Sequence, residues 1–279
     1  MEVITMNTIT KEKKLNKLKN IITNYKSALI AFSGGVDSSF LLNITVEILG
    51  KENVLAVTSS AETYPSEELE EAKQIVEEIG ANHLITYTSE LKNDNFTKNN
   101  EKRCYYCKKE LFSELKDIAD EKNFEVVFDG SNYDDKVDDY RPGLKAVEEL
   151  NVKSPLMEAK LGKKEIRQTS KERGLPTWNK PSFACLSSRF PYGNEINTEK
   201  LEMVDQGESF LREYKFQQLR LRHHDENTAR IEVSPEDMPL LVEKREEIVN
   251  KLKEIGYTYI TMDIEGYRTG SMNEVLEDK

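Results

Sequence analysis

Short apolar runs alternate with helical segments through the first two thirds of the chain, and this alternation constrains the fold more than any other feature. The apolar runs predict buried strands at residues 27–32, 54–59, 83–87 and 124–129. Helical spacing of apolar residues predicts amphipathic helices at 9–25, 38–49, 66–79, 108–122 and 163–173. Strands separated by helices of this length predict an α/β fold built on a doubly wound parallel sheet.

The pattern changes after a segment at 180–193 that is punctuated by proline and glycine. Beyond it, helices are predicted at 197–214 and 235–255, and strands at 218–222, 229–233 and 257–264. These elements predict a smaller C-terminal α+β domain. We therefore expect two domains, at residues 1–190 and 191–279.

The balance of charge argues against a nucleic acid partner. The 279 residues carry a formal net charge of -11 at pH 7, so the whole molecule has no basic field to attract a phosphate backbone. No apolar run approaches the roughly 20 residues that a membrane-spanning helix needs, and the N-terminal residues lack the apolar core of a signal peptide. We expect a cytoplasmic protein that contacts neither membrane nor nucleic acid.

A loop rich in glycine and serine, SGGVDSS at residues 33–39, follows the first predicted strand and leads into a helix. Gly34 and Gly35 allow the backbone to turn sharply and approach a ligand, and the first amides of the helix favour an anion. Asp37 would repel phosphates unless a cation lay between them, so we expect Mg²⁺ there. An ordinary strand–turn–helix corner also suits these residues, but the density of serine hydroxyls favours phosphate binding.

This loop resembles the pyrophosphate-binding loop of the N-type ATP pyrophosphatases, a family that includes GMP synthetase, NAD synthetase and the tRNA thiolases. In that family the loop holds the β- and γ-phosphates of ATP while a substrate oxygen attacks the α-phosphate, so that AMP is transferred and pyrophosphate leaves. The resemblance implies ATP and Mg²⁺ as cofactors, with adenine over the ends of the first two strands. The nucleotide-binding residues that it implies are Ala31, Ser33, Gly34, Gly35, Val36, Asp37, Ser38, Ser39, Ser59 and Gly130.

The three cysteines favour sulfur, rather than ammonia or water, as the group that displaces the adenylate. Cys104 and Cys107 form a Cys-x-x-Cys pair, and Cys185 lies far downstream. Three thiolates are one fewer than a closed four-cysteine site requires, so a [4Fe–4S] cluster on them would leave one iron open to hydrosulfide. Two alternatives stay open: a reversible disulfide with a buried, inert Cys185, or Cys185 as a lone sulfur donor.

The segment KPSFACLSSRFPYG at 180–193 resembles the cysteine-bearing stretch of the LarE-type sulfur transferases, which build the nickel-pincer nucleotide cofactor of lactate racemase. Further matching segments are 130–135, 140–143, 164–167, 174–176 and 266–270. The family adenylates a carboxylate of pyridinium-3,5-dicarboxylate mononucleotide and converts it to a thiocarboxylate. Some members sacrifice the sulfur of the cysteine at the position of Cys185, whereas the additional Cys104 and Cys107 match the cluster-dependent branch. The resemblance thus implies Asp37 and Cys185 as catalytic residues.

An anionic mononucleotide needs cations for its phosphate, and arginine offers a planar fork suited to that group. We expect these cations among Arg189, Arg220, Arg222 and Arg268, although any single arginine is also a plausible solvated surface charge. The resemblance further implies that the small C-terminal domain contributes to contacts in a homo-oligomer.

Two rival functions have their own signatures. A tRNA thiolase would keep the glycine loop and the cluster, but the negative charge and the lack of a further cysteine-bearing appendage argue against it. An ATP-binding sensor without turnover would have little use for three cysteines. Binding of labelled tRNA would support the first, and absence of pyrophosphate release would support the second.

Overall fold

The structure is a computed structural model that describes residues 2–137, 142–181 and 184–276. Its α-helices are α1 (Glu2–Ile22), α2 (Val36–Leu49), α3 (Ser66–Ile79), α4 (Asp94–Thr97), α5 (Arg103–Glu121), α6 (Asp134–Val137), α7 (Pro142–Glu149), α8 (Pro155–Glu158), α9 (Lys163–Glu172), α10 (Thr198–Arg212), α11 (Met238–Glu243) and α12 (Arg245–Ile255). Its strands are β1 (Ala28–Ala31), β2 (Val54–Ser59), β3 (Asn82–Thr86), β4 (Val126–Phe128), β5 (Leu219–His223), β6 (Thr228–Val233) and β7 (Tyr259–Met262).

Parts of two segments that carry the resemblance lie outside the described residues: Tyr140 and Arg141 of 140–143, and Ser182 and Phe183 of 180–193. None of the helices that the structure describes is both long and apolar enough to cross a lipid bilayer.

The chain groups into two compact units. Unit 1 comprises residues 1–88 and 104–183, and unit 2 comprises residues 89–103 and 184–279. The division of the chain into domains at residue 190 stays a prediction.

Unit 1 is built on a parallel sheet with the strand order β3-β2-β1-β4. Successive residues of the central strand face opposite sides, and both sides are covered. Leu29 packs in a cluster with Leu115 of α5, and Ile30 packs in another with Phe40 of α2. Helices on both faces of a parallel sheet make this a doubly wound α/β fold, so the predicted fold class is confirmed.

The strand order reverses at β1. From β1 the chain passes to β2 on one side and later returns to β4 on the other. Ligands of such sheets bind beyond the carboxyl ends of the strands at the point of reversal. The loop at residues 33–39 follows β1 and therefore lies at this point.

Unit 2 contains a smaller mixed sheet in the order β5-β6-β7, with β5 and β6 antiparallel and β6 and β7 parallel. In its hydrophobic core, the sheet packs against α10 and α12. The core includes Leu211, Leu221, Ile231 and Leu252, all at most 2% exposed. Gly207 lets α10 lie directly on β5, because a Cβ there would collide with Leu221. Unit 2 thus combines helices with a mixed sheet in an α+β arrangement.

The single helix predicted at 235–255 is wrong. The structure has a 3-10 turn at Pro235–Asp237, followed by α11 and then α12. Pro239 has no N–H to continue a helix and instead occupies its first turn. At Lys244 the backbone leaves helical geometry, with a ψ of 8°, and α12 starts afresh. Apolar periodicity alone does not detect such a break.

Candidate active site

The glycine loop turns between β1 and α2 through a conformation that favours glycine. Gly34 has a φ of +66°, and a Cβ at this position would lie 3.2 Å from the Cβ of Ala72 on α3. Gly35 then takes extended backbone angles as the N-cap of α2. Both residues bring the loop backbone close to its neighbours, and the first amides of α2, beginning with Val36, face the carboxyl edge of the sheet.

The serines of the loop have different environments. Ser33 is exposed, and its hydroxyl lies 3.2 Å from that of Ser38, which donates to the carbonyl of Gly35 at 3.2 Å. Ser39 is fully buried, and its hydroxyl has no hydrogen-bond partner among the described residues. Tyr64 donates to the carbonyl of Ser33 at 2.9 Å, and burial raises the pKa of Tyr64, so its phenol stays protonated as this donor. Ser33 and Ser38 therefore present the loop's hydroxyls at one place.

Asp37 lies in the first turn of α2 and pairs with the ammonium of Lys163. Its Oδ2 accepts from Lys163, whereas Oδ1 is buried and accepts no hydrogen bond within the described chain. Burial raises the pKa of Asp37 and the Asp135 carboxylate adds to this rise, while the Lys163 ammonium and the nearby Asn132 side chain oppose it. A buried carboxylate oxygen that has no hydrogen bond of ordinary geometry among the described residues suits a hard cation such as Mg²⁺, so the residues present fit that ion.

The ends of the neighbouring strands border the loop. Ala31 ends β1 and Ser59 ends β2, where the Ser59 hydroxyl lies 2.5 Å from that of Thr88. Gly130 follows β4, and a Cβ there would lie 3.2 Å from the backbone nitrogen of Ser38. The structure thus brings the sequence-predicted nucleotide residues of unit 1 to one edge of the sheet.

Cys104 and Cys107 lie in the first turns of α5, three residues apart and so on the same face of the helix. Cys104 is exposed and Cys107 half-buried, and neither forms a disulfide. The next residue, Lys108, places its Nζ 3.6 Å from Asp129 Oδ2 at the end of β4. The turn that carries the two thiols therefore borders the same edge of the sheet as the glycine loop.

Cys185 belongs to unit 2, where it precedes a 3-10 turn at Leu186–Arg189. Its Sγ lies 2.9 Å from the hydroxyl of Ser187, and it too is a thiol. The fully buried Arg189 donates to the carbonyl of Ala184 at 2.7 Å and binds both carboxylate oxygens of Glu208 at 2.8 and 2.9 Å. Arg189 thereby fixes the backbone on both sides of Cys185.

No group of three or more histidine, cysteine, aspartate or glutamate side chains among the described residues has the arrangement of a metal site. The predicted three-cysteine cluster is therefore not shown.

The other predicted arginines lie in the same unit. Arg222 is 5% exposed, donates to Glu232 at 2.6 Å and reaches the carbonyl of Ser188 at 3.1 Å. Burial lowers the pKa of Arg220, and the positive charges of Arg189 and Arg222 lower it further, while the Glu208 carboxylate opposes this fall. Arg268 forms ion pairs with Asp263, Glu265 and Glu274.

Sequence reasoning missed Lys163 and Glu208. The Lys163–Asp37 pair spans 126 residues of sequence, and the Arg189–Glu208 pair places a carboxylate inside a helix that looks amphipathic and ordinary. The sequence does contain a signal for Lys163. This residue directly precedes the segment 164–167 and follows Gly162, the N-cap of α9. Glu208 leaves no comparable signal in the sequence.

Comparison with known proteins agrees with this geometry. The NAD synthase family model matches residues 11–110, which include the glycine loop. An uncharacterised protein of Synechocystis is 42% identical over 95% of this chain and 98% of its own length. The pyridinium-3,5-bisthiocarboxylic acid mononucleotide synthase of Lactiplantibacillus plantarum is 37% identical over 88% of this chain and 89% of its own length. An uncharacterised protein of Methanocaldococcus jannaschii is 36% identical over 92% of this chain and 98% of its own length.

Proposed function

Because this chain belongs to the LarE-type family, that of the pyridinium-3,5-bisthiocarboxylic acid mononucleotide synthases, we propose that it thiolates pyridinium-3,5-dicarboxylate mononucleotide. The chain is an ATP-dependent, adenylating sulfurtransferase of the pyrophosphate-loop type. One observation in the structure supports this proposal most directly: the glycine loop lies where the strand order reverses, and the Oδ1 of its central Asp37 accepts no hydrogen bond from the residues that the structure describes.

The reaction follows from what the loop can hold. The amides of α2 and the hydroxyls of Ser33 and Ser38 bind the β- and γ-phosphates of ATP, and the helix dipole favours their charge. A carboxylate oxygen of the substrate attacks the α-phosphorus, the bond to the bridging oxygen breaks, and pyrophosphate leaves. Hydrosulfide then adds to the acyl carbon and AMP departs with the original oxygen, which yields the thiocarboxylate.

Asp37 would hold Mg²⁺ through the oxygen that accepts no hydrogen bond within the described chain. The cation would neutralise charge on the pyrophosphate leaving group. We therefore assign Asp37 to the adenylation step.

For the sulfur step we propose that Cys104, Cys107 and Cys185 together hold a [4Fe–4S] cluster. Such a cluster supplies an open iron site for hydrosulfide when it is bound. Two features support the assignment of Cys104 and Cys107: their thiols share one face of α5, and the N-terminal end of a helix stabilises thiolates. The sacrificial use of Cys185 is the alternative.

The arginines of unit 2 support binding of the substrate phosphate. Arg189 is neutralised by Glu208, so we assign it to holding the loop of Cys185. Arg220 lies near the charges of Arg189, Glu208 and Arg222, and its planar guanidinium suits a phosphate. Arg222 and Arg268 form ion pairs with carboxylates, and we assign them a supporting role. We also propose homo-oligomer contacts through unit 2, where Tyr259 and Ile264 are exposed.

The test is product formation by the anaerobically purified protein. With ATP, Mg²⁺, sulfide and the mononucleotide, we expect AMP, pyrophosphate and a product that has exchanged one oxygen for sulfur, seen by mass spectrometry. A parallel reaction contains unmodified tRNA in place of the mononucleotide. Thiolated tRNA without thiolated mononucleotide would show that the chain is a tRNA thiolase, and release of no pyrophosphate with either substrate would contradict both assignments.

A further inference from the structure

A buried arginine that has no part in the proposed reaction holds the 3-10 turn that follows Cys185. Arg103 is 6% exposed and belongs to unit 2. Its Nη1 donates to the carbonyl oxygen of Ser187 at 2.9 Å and also to the side-chain oxygen of Asn99. Arg103 thereby ties its own segment of unit 2 to the backbone of the turn.

Asn99 extends this contact along the loop. It is fully buried, and its φ of +49° lies in the left-handed region, which asparagine adopts more readily than most residues. Its side-chain nitrogen donates to the carbonyls of Pro191 at 2.7 Å and Phe190 at 3.3 Å, and its own carbonyl accepts from the Gly193 amide at 3.0 Å. Because these bonds reach main-chain atoms, they fix the path of the loop whatever side chains it carries.

The positive charge of Arg103 pairs with no carboxylate among the residues that the structure describes. Its hydrogen-bond acceptors are the neutral oxygens of Asn99 and Ser187, and its guanidinium carbon lies 5.7 Å from the centre of the Tyr192 ring. Its Nε is buried and donates no hydrogen bond within the described chain. Burying a guanidinium without a counter-ion costs free energy, so the stability of the fold does not explain an arginine here. What the arginine holds in place explains it better.

Ser187 connects Arg103 to the thiol of Cys185. The serine is fully buried, its carbonyl is held by Arg103, and its hydroxyl lies 2.9 Å from Cys185 Sγ. This contact depends on the placement of the Ser187 backbone, and a shift of about 1 Å near a reacting group can cost about a hundredfold in rate. Arg103 thus acts on the sulfur atom indirectly, through Ser187.

We propose that Arg103 is a positioning residue for the sulfur step: it holds Ser187 so that the serine hydroxyl stays in contact with the Cys185 thiol. This rests on the proposed use of Cys185 in sulfur transfer, and it applies whether that thiol binds a cluster or gives up its own sulfur. The hydrogen bonds of Arg103 lie within unit 2, whereas the glycine loop belongs to unit 1. Removal of the guanidinium should therefore slow sulfur transfer and leave adenylation unchanged.

A rapid-quench experiment on the anaerobically purified full chain separates the two steps. Excess protein is mixed with ATP, Mg²⁺, sulfide and the mononucleotide, and pyrophosphate and thiocarboxylate are quantified over the first turnover. In Arg103→Gln we expect the rate of thiocarboxylate formation to fall about tenfold, because a charged hydrogen bond is lost, while the rate of pyrophosphate release stays constant. Lys102→Gln is the matched control: it removes the same charge from an exposed side chain one residue earlier, and it should change neither rate.

A double-mutant cycle tests whether Arg103 acts through Ser187. Ser187→Ala removes the hydroxyl that contacts the thiol and should itself slow thiocarboxylate formation. Adding Arg103→Gln to Ser187→Ala should then cause a smaller further loss than Arg103→Gln causes alone. Arg103→Lys keeps a cationic donor and should recover part of the lost rate. Thermal unfolding verifies that each variant is folded, and Arg103→Met replaces Arg103→Gln if the latter is not.

The inference would be overturned by a wild-type rate of thiocarboxylate formation in Arg103→Gln. It would also be overturned by an equal fall of both rates in that variant, which indicates a general loss of structure, or by fully additive losses in the double variant. Failure of the wild-type protein to release pyrophosphate or to form thiocarboxylate would instead overturn the proposed function.

Discussion

Opposing effects act on Asp37. Burial and the neighbouring Asp135 favour the protonated carboxyl, while Lys163 favours the carboxylate. A carboxylate in this position must be ionised to hold a metal, and the Lys163 ammonium favours that form.

Replacing Asp37 should abolish adenylation and leave the thiol chemistry unaffected. In Asp37→Asn we expect pyrophosphate release with substrate to fall by at least about a hundredfold, because metal-assisted charge stabilisation is among the larger catalytic effects. Iron content should be unchanged, since Asp37 and the cysteines occupy different elements. Asp117→Asn, an exposed carboxylate on α5, is the control. Adenylation at the wild-type rate in the Asp37 variant would contradict its assignment.

Replacing Arg220 should weaken binding of the mononucleotide and leave binding of ATP unchanged. It belongs to unit 2, whereas the glycine loop belongs to unit 1. In Arg220→Ala we expect the Kd for the mononucleotide to rise about tenfold or more, because a hydrogen bond between charged groups is lost, and the Kd for ATP to stay constant. Calorimetry with each ligand measures both, and the exposed Arg245→Ala serves as control. Unchanged affinity for the mononucleotide would show that Arg220 does not bind its phosphate.

Helices, strands and loops are predictable from the sequence where neighbouring residues determine them, and they are not predictable where distant contacts do. The strands of unit 1 are predictable, because buried parallel strands are continuous apolar runs such as β2, where residues 54–58 are all buried. The position of the glycine loop follows from its place after the first strand. The break at Lys244 and the pairing of Lys163 with Asp37 are not predictable, because they depend on backbone angles and on a contact between distant helices.

The pairing of β2 with β3 includes a histidine that should make stability depend on pH. His83 Nε2 lies 2.9 Å from the Thr58 hydroxyl, which donates to the carbonyl of Phe32. Burial lowers the pKa of His83, and Lys73 lowers it further. The unfolded chain then binds the proton more readily than the folded one. Stability is therefore complete above about pH 6.5, the ordinary histidine value, and falls as the pH drops below it.

Denaturant unfolding at pH 7, 6 and 5 measures this dependence. In His83→Gln, which keeps a donor for Thr58, we expect the loss of stability on acidification to shrink by up to about 1.4 kcal/mol per pH unit. The pKa of His223 is also lowered by burial, so some dependence remains in the variant. The exposed His224→Gln is the control. Equal slopes for wild type and His83→Gln would show that this histidine does not contribute.

At the scale of the whole molecule, the protein carries a net negative charge, and so do ATP and the proposed mononucleotide substrate. If a chain of net charge -11 binds ATP and the proposed anionic mononucleotide, each site must supply local cations. Unit 1 offers Lys163 at the glycine loop, and unit 2 offers Arg220. The overall charge predicts the absence of a nucleic acid partner, but it does not locate these cations.

The cysteines are divided between the units, with Cys104 and Cys107 in unit 1 and Cys185 in unit 2. A cluster on three thiolates loses a ligand with any one of them. We therefore expect Cys104→Ala, Cys107→Ala and Cys185→Ala each to lose iron and sulfur transfer. Each should keep ATP binding, because the glycine loop contains no cysteine. Iron and sulfide analysis of anaerobically purified variants, with calorimetry of ATP binding, measures both effects.

A sacrificial Cys185 predicts a different result in the same experiments. Only Cys185→Ala would then be inactive, because Cys104 and Cys107 would take no part in the transfer. Wild-type protein would emerge from one turnover lighter by the mass of H₂S, since a cysteine that gives up its sulfur becomes dehydroalanine. A cluster would instead draw sulfur from solution, so under that proposal the chain should keep its mass with added sulfide and form more than one product molecule. Intact-protein mass spectrometry after the reaction decides between the two: a lighter protein with a single turnover would exclude the cluster as the source of sulfur, whatever iron the protein holds.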